Sequence, residues 1–264
     1  MHAGWIPCAL AIAGLGPGAA ARAAPETAAE ITQCMRDNFP GDASVQTIAL
    51  EVKDRVGNRR ELDAKVYWER DPGGLSRVLI RFDDPPDLRG SSLLLLEKPE
   101  RNDMFMYLPE LGRVRRVTSH MISGSMFGTD FSYEDFERLQ GLAEDADALR
   151  KPDAEIGGRA AYVLEARPRR EERSQYESVT SFIDRETCVP LEIRMYEKGP
   201  RLRKTVSIDF SKVTQEKSGW VPRALSIREE IERTETALRV DAIELGVDLP
   251  DKLFSQSQLE RGGR

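Results

Sequence analysis

The 264-residue chain carries 39 basic and 45 acidic side chains, a formal net charge of −6, and so mildly acidic a composition excludes nucleic acid as the expected partner. No apolar run beyond the amino end reaches the roughly 20 residues that a membrane-spanning helix needs, so an integral membrane protein is not expected. Once a leader is removed, about 240 residues remain, enough for one large all-β domain or two small ones.

The leader is the first element. Residues 5–15 are almost wholly apolar and are followed by small residues ending in Ala21-Arg22-Ala23, which reads as a secretory signal over 1–24 cleaved near Ala23. The region before the apolar core departs from the pattern in holding His2 but no Lys or Arg. Cys8 is preceded by Trp5-Ile6-Pro7 rather than small residues, so lipid attachment is not expected and residues 25–264 read as one released, periplasmic domain. Cys34 and Cys188 then form an isolated pair in an oxidising space, either a disulfide or two buried thiols.

Residues 26–39 are predicted to be helical, with Ile31, Met35 and Phe39 at four-residue intervals and Pro40-Gly41 as the stop. Alternation then predicts strands over 45–56, 61–69 and 76–83, broken at Gly57-Asn58 and Asp71-Pro72-Gly73-Gly74. The strands at 91–97, with four consecutive leucines, and 104–108 are apolar at both parities and must bury both faces. Their second face needs a lid, a partner or a ligand. A strand near 113–117 follows the tight turn Leu108-Pro109-Glu110-Leu111-Gly112. Further strands are predicted at 160–167, 179–184, 190–196, 205–213, 221–229 and 236–245, with a short helix at 252–259. About a dozen sequential strands imply a mainly β fold, a curled antiparallel sheet or half-open barrel with a few covering helices.

Between the two strand series lies the long connection 119–139. Its Met121, Ile122, Met126, Phe127 and Phe131 require burial, Gly124 and Gly128 supply hinges, and Ser132 with Asp135 makes a capping box for a helix of about two turns starting at Tyr133. The loop reads as a lid over an apolar cavity whose wall would be Leu93, Leu95, Met104 and Met106, or as a plain core-packing crossover. Arg113, Arg115 and Arg116 are candidates for contact with a lipid headgroup or acidic partner, or form a solvated face.

Catalytic chemistry is poorly supplied. His120 is the one histidine after the leader, and the cysteines lack zinc-type spacing. Ser123 or Ser125 with His120 and Asp130 lacks the G-x-S-x-G elbow of a hydrolase. The pairs Glu134-Asp135 and Glu229-Glu230 are sequence neighbours that point in different directions. No enzyme activity, metal or cofactor is expected.

The run Tyr107-Leu108-Pro109-Glu110-Leu111-Gly112-Arg113-Val114-Arg115-Arg116, with Ser123-Gly124-Ser125-Met126-Phe127-Gly128-Thr129-Asp130-Phe131-Ser132-Tyr133-Glu134-Asp135, resembles the signature of the outer-membrane lipoprotein-sorting (LolA-like) proteins, in the branch associated with RND-type exporters. Elsewhere the likeness is one of strand pattern and leader. The resemblance implies a half-open antiparallel barrel covered by helices, with a cavity that carries acyl chains between membranes. A lipid or lipidated protein as cargo, an RND-type exporter as partner and transient membrane contact follow from it as expectations. A binding or sensor module docking on an exporter or regulator through the same apolar face is the other reading.

Overall fold

Apolar and polar side chains alternate through most of the chain between residues 44 and 245, and that period forces strands whose two faces differ. A computed structural model describes residues 25–38, 41–143, 148–169, 174–216 and 219–261; the expected leader, with Cys8, lies outside the described residues, as do Phe39 and Pro40. In chain order the elements are α1 (Ala28–Arg36), β1 (Ser44–Lys53), β2 (Arg59–Arg70), β3 (Ser76–Asp84), β4 (Ser92–Leu96), β5 (Asp103–Leu108), β6 (Arg113–Arg116) and α2 (Tyr133–Leu139). Then come β7 (Leu149–Ile156), β8 (Arg159–Ala166), β9 (Ser178–Asp184), β10 (Pro190–Glu197), β11 (Arg201–Ile208), β12 (Val213–Glu216), β13 (Gly219–Pro222), β14 (Ala224–Glu229), β15 (Thr234–Leu245) and α3 (Gln256–Arg261).

Thirteen strands form one sheet in the order β6-β5-β4-β3-β2-β1-β15-β14-β11-β10-β9-β8-β7, and β12 and β13 make a separate hairpin. The pairings are antiparallel throughout. The sheet curls but does not close: β6 and β7 are its two edges. The first strand of one half pairs with the last strand of the chain, Leu50 opposite Leu238, so the halves meet at β1 and β15.

Several elements differ from expectation. The predicted strands 205–213 and 221–229 are each interrupted, the first by a 3-10 turn at Phe210–Lys212. There the Asp209 carboxylate accepts from Ser211 N at 3.1 Å, a side-chain bond that competes with the ladder. Strand β7 was not anticipated, because Arg150-Lys151-Pro152-Asp153 is polar and contains proline. An edge tolerates both, and the register shifts between Lys151 and Ala154. Helix α1 begins later than expected, behind Thr27, which caps Glu30 N while the Glu30 carboxylate accepts from Thr27 N.

Both faces of β3–β5 are covered by the chain itself. On the outer face Leu79, Leu94, Phe105 and Tyr107 pack under Phe254 and Leu259 of the carboxy-terminal segment. On the inner face, residues of β1–β5 such as Leu62, Ile80, Leu93 and Met106 join Val179, Met195, Val206 and Ile227 of the other half in one core. Helix α1 adds Ile31 against Tyr162, Leu164 and Ile183.

Cys34 of α1 and Cys188 are bonded, with Cα atoms 5.8 Å apart across 154 residues of sequence. The turn presenting Cys188 is organised by the buried Asp184, which accepts from Thr187 N at 2.9 Å and Thr187 Oγ1 at 2.8 Å and pairs with Arg159 Nε at 2.7 Å. Burial alone would push its carboxyl up; the Arg159 guanidinium and the Thr187 donors outweigh it and hold it below the ordinary carboxylate value. Asp184→Asn is therefore expected to cost about 1.5–3 kcal/mol near neutral pH. The wild-type advantage is present above the unfolded-state pKa and is lost as pH falls through the depressed folded one, so urea midpoints of the two proteins should converge in acid. Parallel midpoints across that range would contradict this.

Candidate functional site

The inner face is covered by the 119–139 connection, and the local sequence explains its shape. Ser132 accepts from Asp135 N at 3.1 Å while Asp135 Oδ2 accepts from Ser132 N at 2.8 Å, the expected capping box, and α2 starts at Tyr133. Just before it, Met126 N donates to Phe131 O at 2.7 Å and Ser125 bridges Ser132, so residues 125–132 close into a compact loop. Its turn needs two consecutive left-handed residues, Phe127 at φ 53° and Gly128 at φ 78°. Phe127 is thereby laid on Phe82 of the sheet, ring centroids 4.7 Å apart.

Polar contacts hold this cover at its α2 end. The Lys204 ammonium, 5 % exposed, donates to Asp135 Oδ2 at 2.7 Å and to Asp130 O at 2.8 Å. Tyr176 Oη donates to Asp135 Oδ1 at 2.5 Å. The Asp130 carboxylate accepts from Thr234 Oγ1 and, at 2.6 Å, from Thr236 Oγ1. Glu134 accepts from Ser174 Oγ and from Gln175 N at 3.0 Å. Burial holds the Glu134 carboxyl above its ordinary value against the pull of Ser174 and Arg138, and burial with the neighbouring Asp135 charge drives the Tyr176 phenol well up. A buried polar network of this kind fixes one seating of the cover on an otherwise apolar face.

A family model described only as uncharacterized protein matches residues 74–261. Among solved structures, the chain is similar to a structure described as an outer membrane lipoprotein-sorting protein domain from Vibrio parahaemolyticus, at 22% identity, TM-score 0.78, covering 88% of this chain and 97% of that one. It is also similar to a DUF1329 family protein from Desulfovibrio piger at 24% identity, TM-score 0.80 and the same coverages. A LolA superfamily protein from Nitrosomonas europaea aligns at 18% identity, TM-score 0.70, over 88% of this chain and 98% of that one. The chain belongs to the family of that model, and its fold is LolA-like. No curated protein matches the sequence.

On the LolA-like frame the residues singled out from sequence fall into two groups. Leu93, Leu95, Met104, Met106, Met126, Phe127 and Phe131 are brought together and buried in the one inner-face core. Tyr133 Oη lies 3.4 Å from Met106 Sδ. Met121 and Ile122 are half-buried at its margin, with Val52, Ile208, Leu225, Leu238 and Val240. The three arginines are not brought together. Arg113 and Arg115 pair with Leu108 and Met106 and share the inner-face parity, whereas Arg116 pairs with Phe105 on the outer parity and is tied to Asp103. Of the weighed triad, Asp130 is engaged by the two threonines, Ser125 Oγ donates to Thr129 O at 2.6 Å, and His120 is exposed.

A small pocket of about 220 Å³ opens beside the loop tip, between Phe127, Gly128 and the Leu108–Glu110 turn. A broader groove of about 510 Å³ crosses β1, β15 and β14. Strand parity places its Ala49, Glu51, Asp63 and Arg239 opposite the inner face. Sequence reasoning missed Lys204, since it began that strand at Thr205. Alternation would have found it: Lys204, Val206 and Ile208 share one face, and a lysine on an apolar face needs a buried partner.

Proposed function

We propose that this LolA-like protein is a periplasmic carrier that holds the acyl chains of a lipid or lipoprotein against the inner face of its sheet and shuttles them between membranes or to and from an exporter. The observation that carries the reading is the construction of the cover. The apolar tip at Met126, Phe127 and Phe131 occupies the inner face, while the seating is enforced by a few polar bonds to Thr234, Thr236 and Lys204. Polar bonds can be exchanged for water, so the tip can leave and an acyl chain take its place. Exposing a sixteen-carbon chain to water costs about 12 kcal/mol at ~0.8 kcal/mol per methylene, and shielding it needs no catalytic group. The fold likeness to an outer membrane lipoprotein-sorting domain supports the same reading, with an RND-type exporter as the proposed partner.

Native mass spectrometry of protein taken from the periplasm, before and after organic extraction, is expected to show a lipid adduct that extraction removes. Protein free of lipid that also fails to bind an acyl probe would sink the carrier reading. His120→Ala should leave acyl binding unchanged. The groove on the opposite face favours a second reading, a docking module that transports nothing. Crosslinking separates the two, since a docking module forms a lasting protein complex in which no lipid is held.

A further inference from the structure

We infer that the 220 Å³ pocket at the loop tip is a subsite for the zwitterionic amino-phosphate head of an amphiphile, an inference that rests on the carrier reading and names its cargo's polar end. The volume is that of roughly seven liquid waters, the size of a polar head rather than of a long chain. Its apolar wall includes Phe127 and Leu108, both packed on the inner-face core, so a head held here would have its chain directed toward that core.

The polar wall sets the chemistry. Ser91 is wholly buried and its Oγ has no hydrogen-bond partner among the described residues, a cost that a bound acceptor would remove. The Arg60 guanidinium lies alongside, paired with Asp87 at 2.5 Å. A Cβ at Gly128 would stand 3.3 Å from Arg60 Nη1, so glycine there keeps the approach open. Arg60 and Ser91 are donors for an oxyanion. Asp87 and Glu110, which also line the pocket, would repel a bare anion but accept an ammonium group. A phosphate linked to an amine satisfies both signs.

Isothermal titration of the exported protein with dihexanoyl lipids below their micellar concentration tests this. The ethanolamine phospholipid is expected to bind about tenfold tighter than the glycerol phospholipid. Glu110→Gln should abolish that preference, and Arg60→Gln and Ser91→Ala should weaken both phospholipids by about tenfold while dihexanoylglycerol is unaffected. Circular dichroism matching wild type establishes that each variant is folded. Equal binding of all three lipids, or variants indistinguishable from wild type, would overturn the subsite and leave the carrier reading standing. Phosphoethanolamine binding as tightly as the phospholipid would make this a site for a free metabolite and overturn the assignment to a lipid. No lipid binding at all would overturn the carrier reading with it.

Discussion

Lys204→Met is expected to lower unfolding stability by about 3–5 kcal/mol, the loss seen when one partner of a buried ion pair is removed. The substitution preserves length and apolar bulk, so little of the loss comes from packing. What remains is the Asp135 carboxylate, 1 % exposed, with Tyr176 Oη and Ser132 N as donors but no cation at Asp135 Oδ2. The Asp130 carbonyl loses a donor as well. Lys204→Met combined with Asp135→Asn should recover part of the loss, because the second change removes the stranded charge while keeping an acceptor for the α2 cap. Urea unfolding of both singles and the double, compared at constant m-value, isolates the coupling. A single-variant loss below about 1 kcal/mol would mean that the ammonium is solvated and the cover is not latched there. In the carrier reading the loosened variants should also take up an acyl probe faster.

Replacing both Cys34 and Cys188 by serine is expected to cost about 2–5 kcal/mol, with chain entropy alone giving about 5 kcal/mol for so long a closed loop. For a chain of this size the melting temperature should fall by roughly 5–20 °C. The bond pins α1, whose Ile31 is wholly buried against Tyr162, Leu164 and Ile183, to the turn organised by Asp184. A nine-residue helix has little stability of its own, so its docking should depend on the bridge more than the sheet does. Hydrogen exchange ought then to show α1 deprotected in the double variant while β1 and β2 keep their protection. Unchanged melting would show that apolar packing alone seats the helix.

Much of this architecture was legible because strands announce themselves by period. The doubly apolar runs at Leu93–Leu95 and Met104–Met106 correctly demanded cover on both faces, and Ser132 with Asp135 correctly placed the start of α2. Periodicity does not say which strand is whose neighbour, so the meeting of β1 with β15 came only from the fold. Nor does it report how a loop is fastened. Asp130 reaches Thr234 and Thr236 more than a hundred residues away in sequence, and no local pattern encodes such a contact. The breaks after Ile208 and at Arg223 were invisible because a side-chain cap at Asp209 and the missing N–H of Pro222 leave an alternating pattern almost intact. The arginines divide for a related reason: residues adjacent in a strand belong to opposite faces, so Arg115 and Arg116 leave the sheet on different sides.

The seam between β1 and β15 imposes an order of events on a chain made amino end first. Hairpins β1 to β6 and β7 to β11 are local and can form as they emerge, but the pairing that unites them joins residues near 50 to residues near 238. Contacts so distant in sequence form late and slowly. Until the last strand arrives, the cover has no Thr234 or Thr236 to hold Asp130, and the apolar inner faces of the half-sheets lie open to self-association. The newly made chain therefore passes through a sticky adolescence, and its yield should depend on chaperones more steeply than its final stability would suggest.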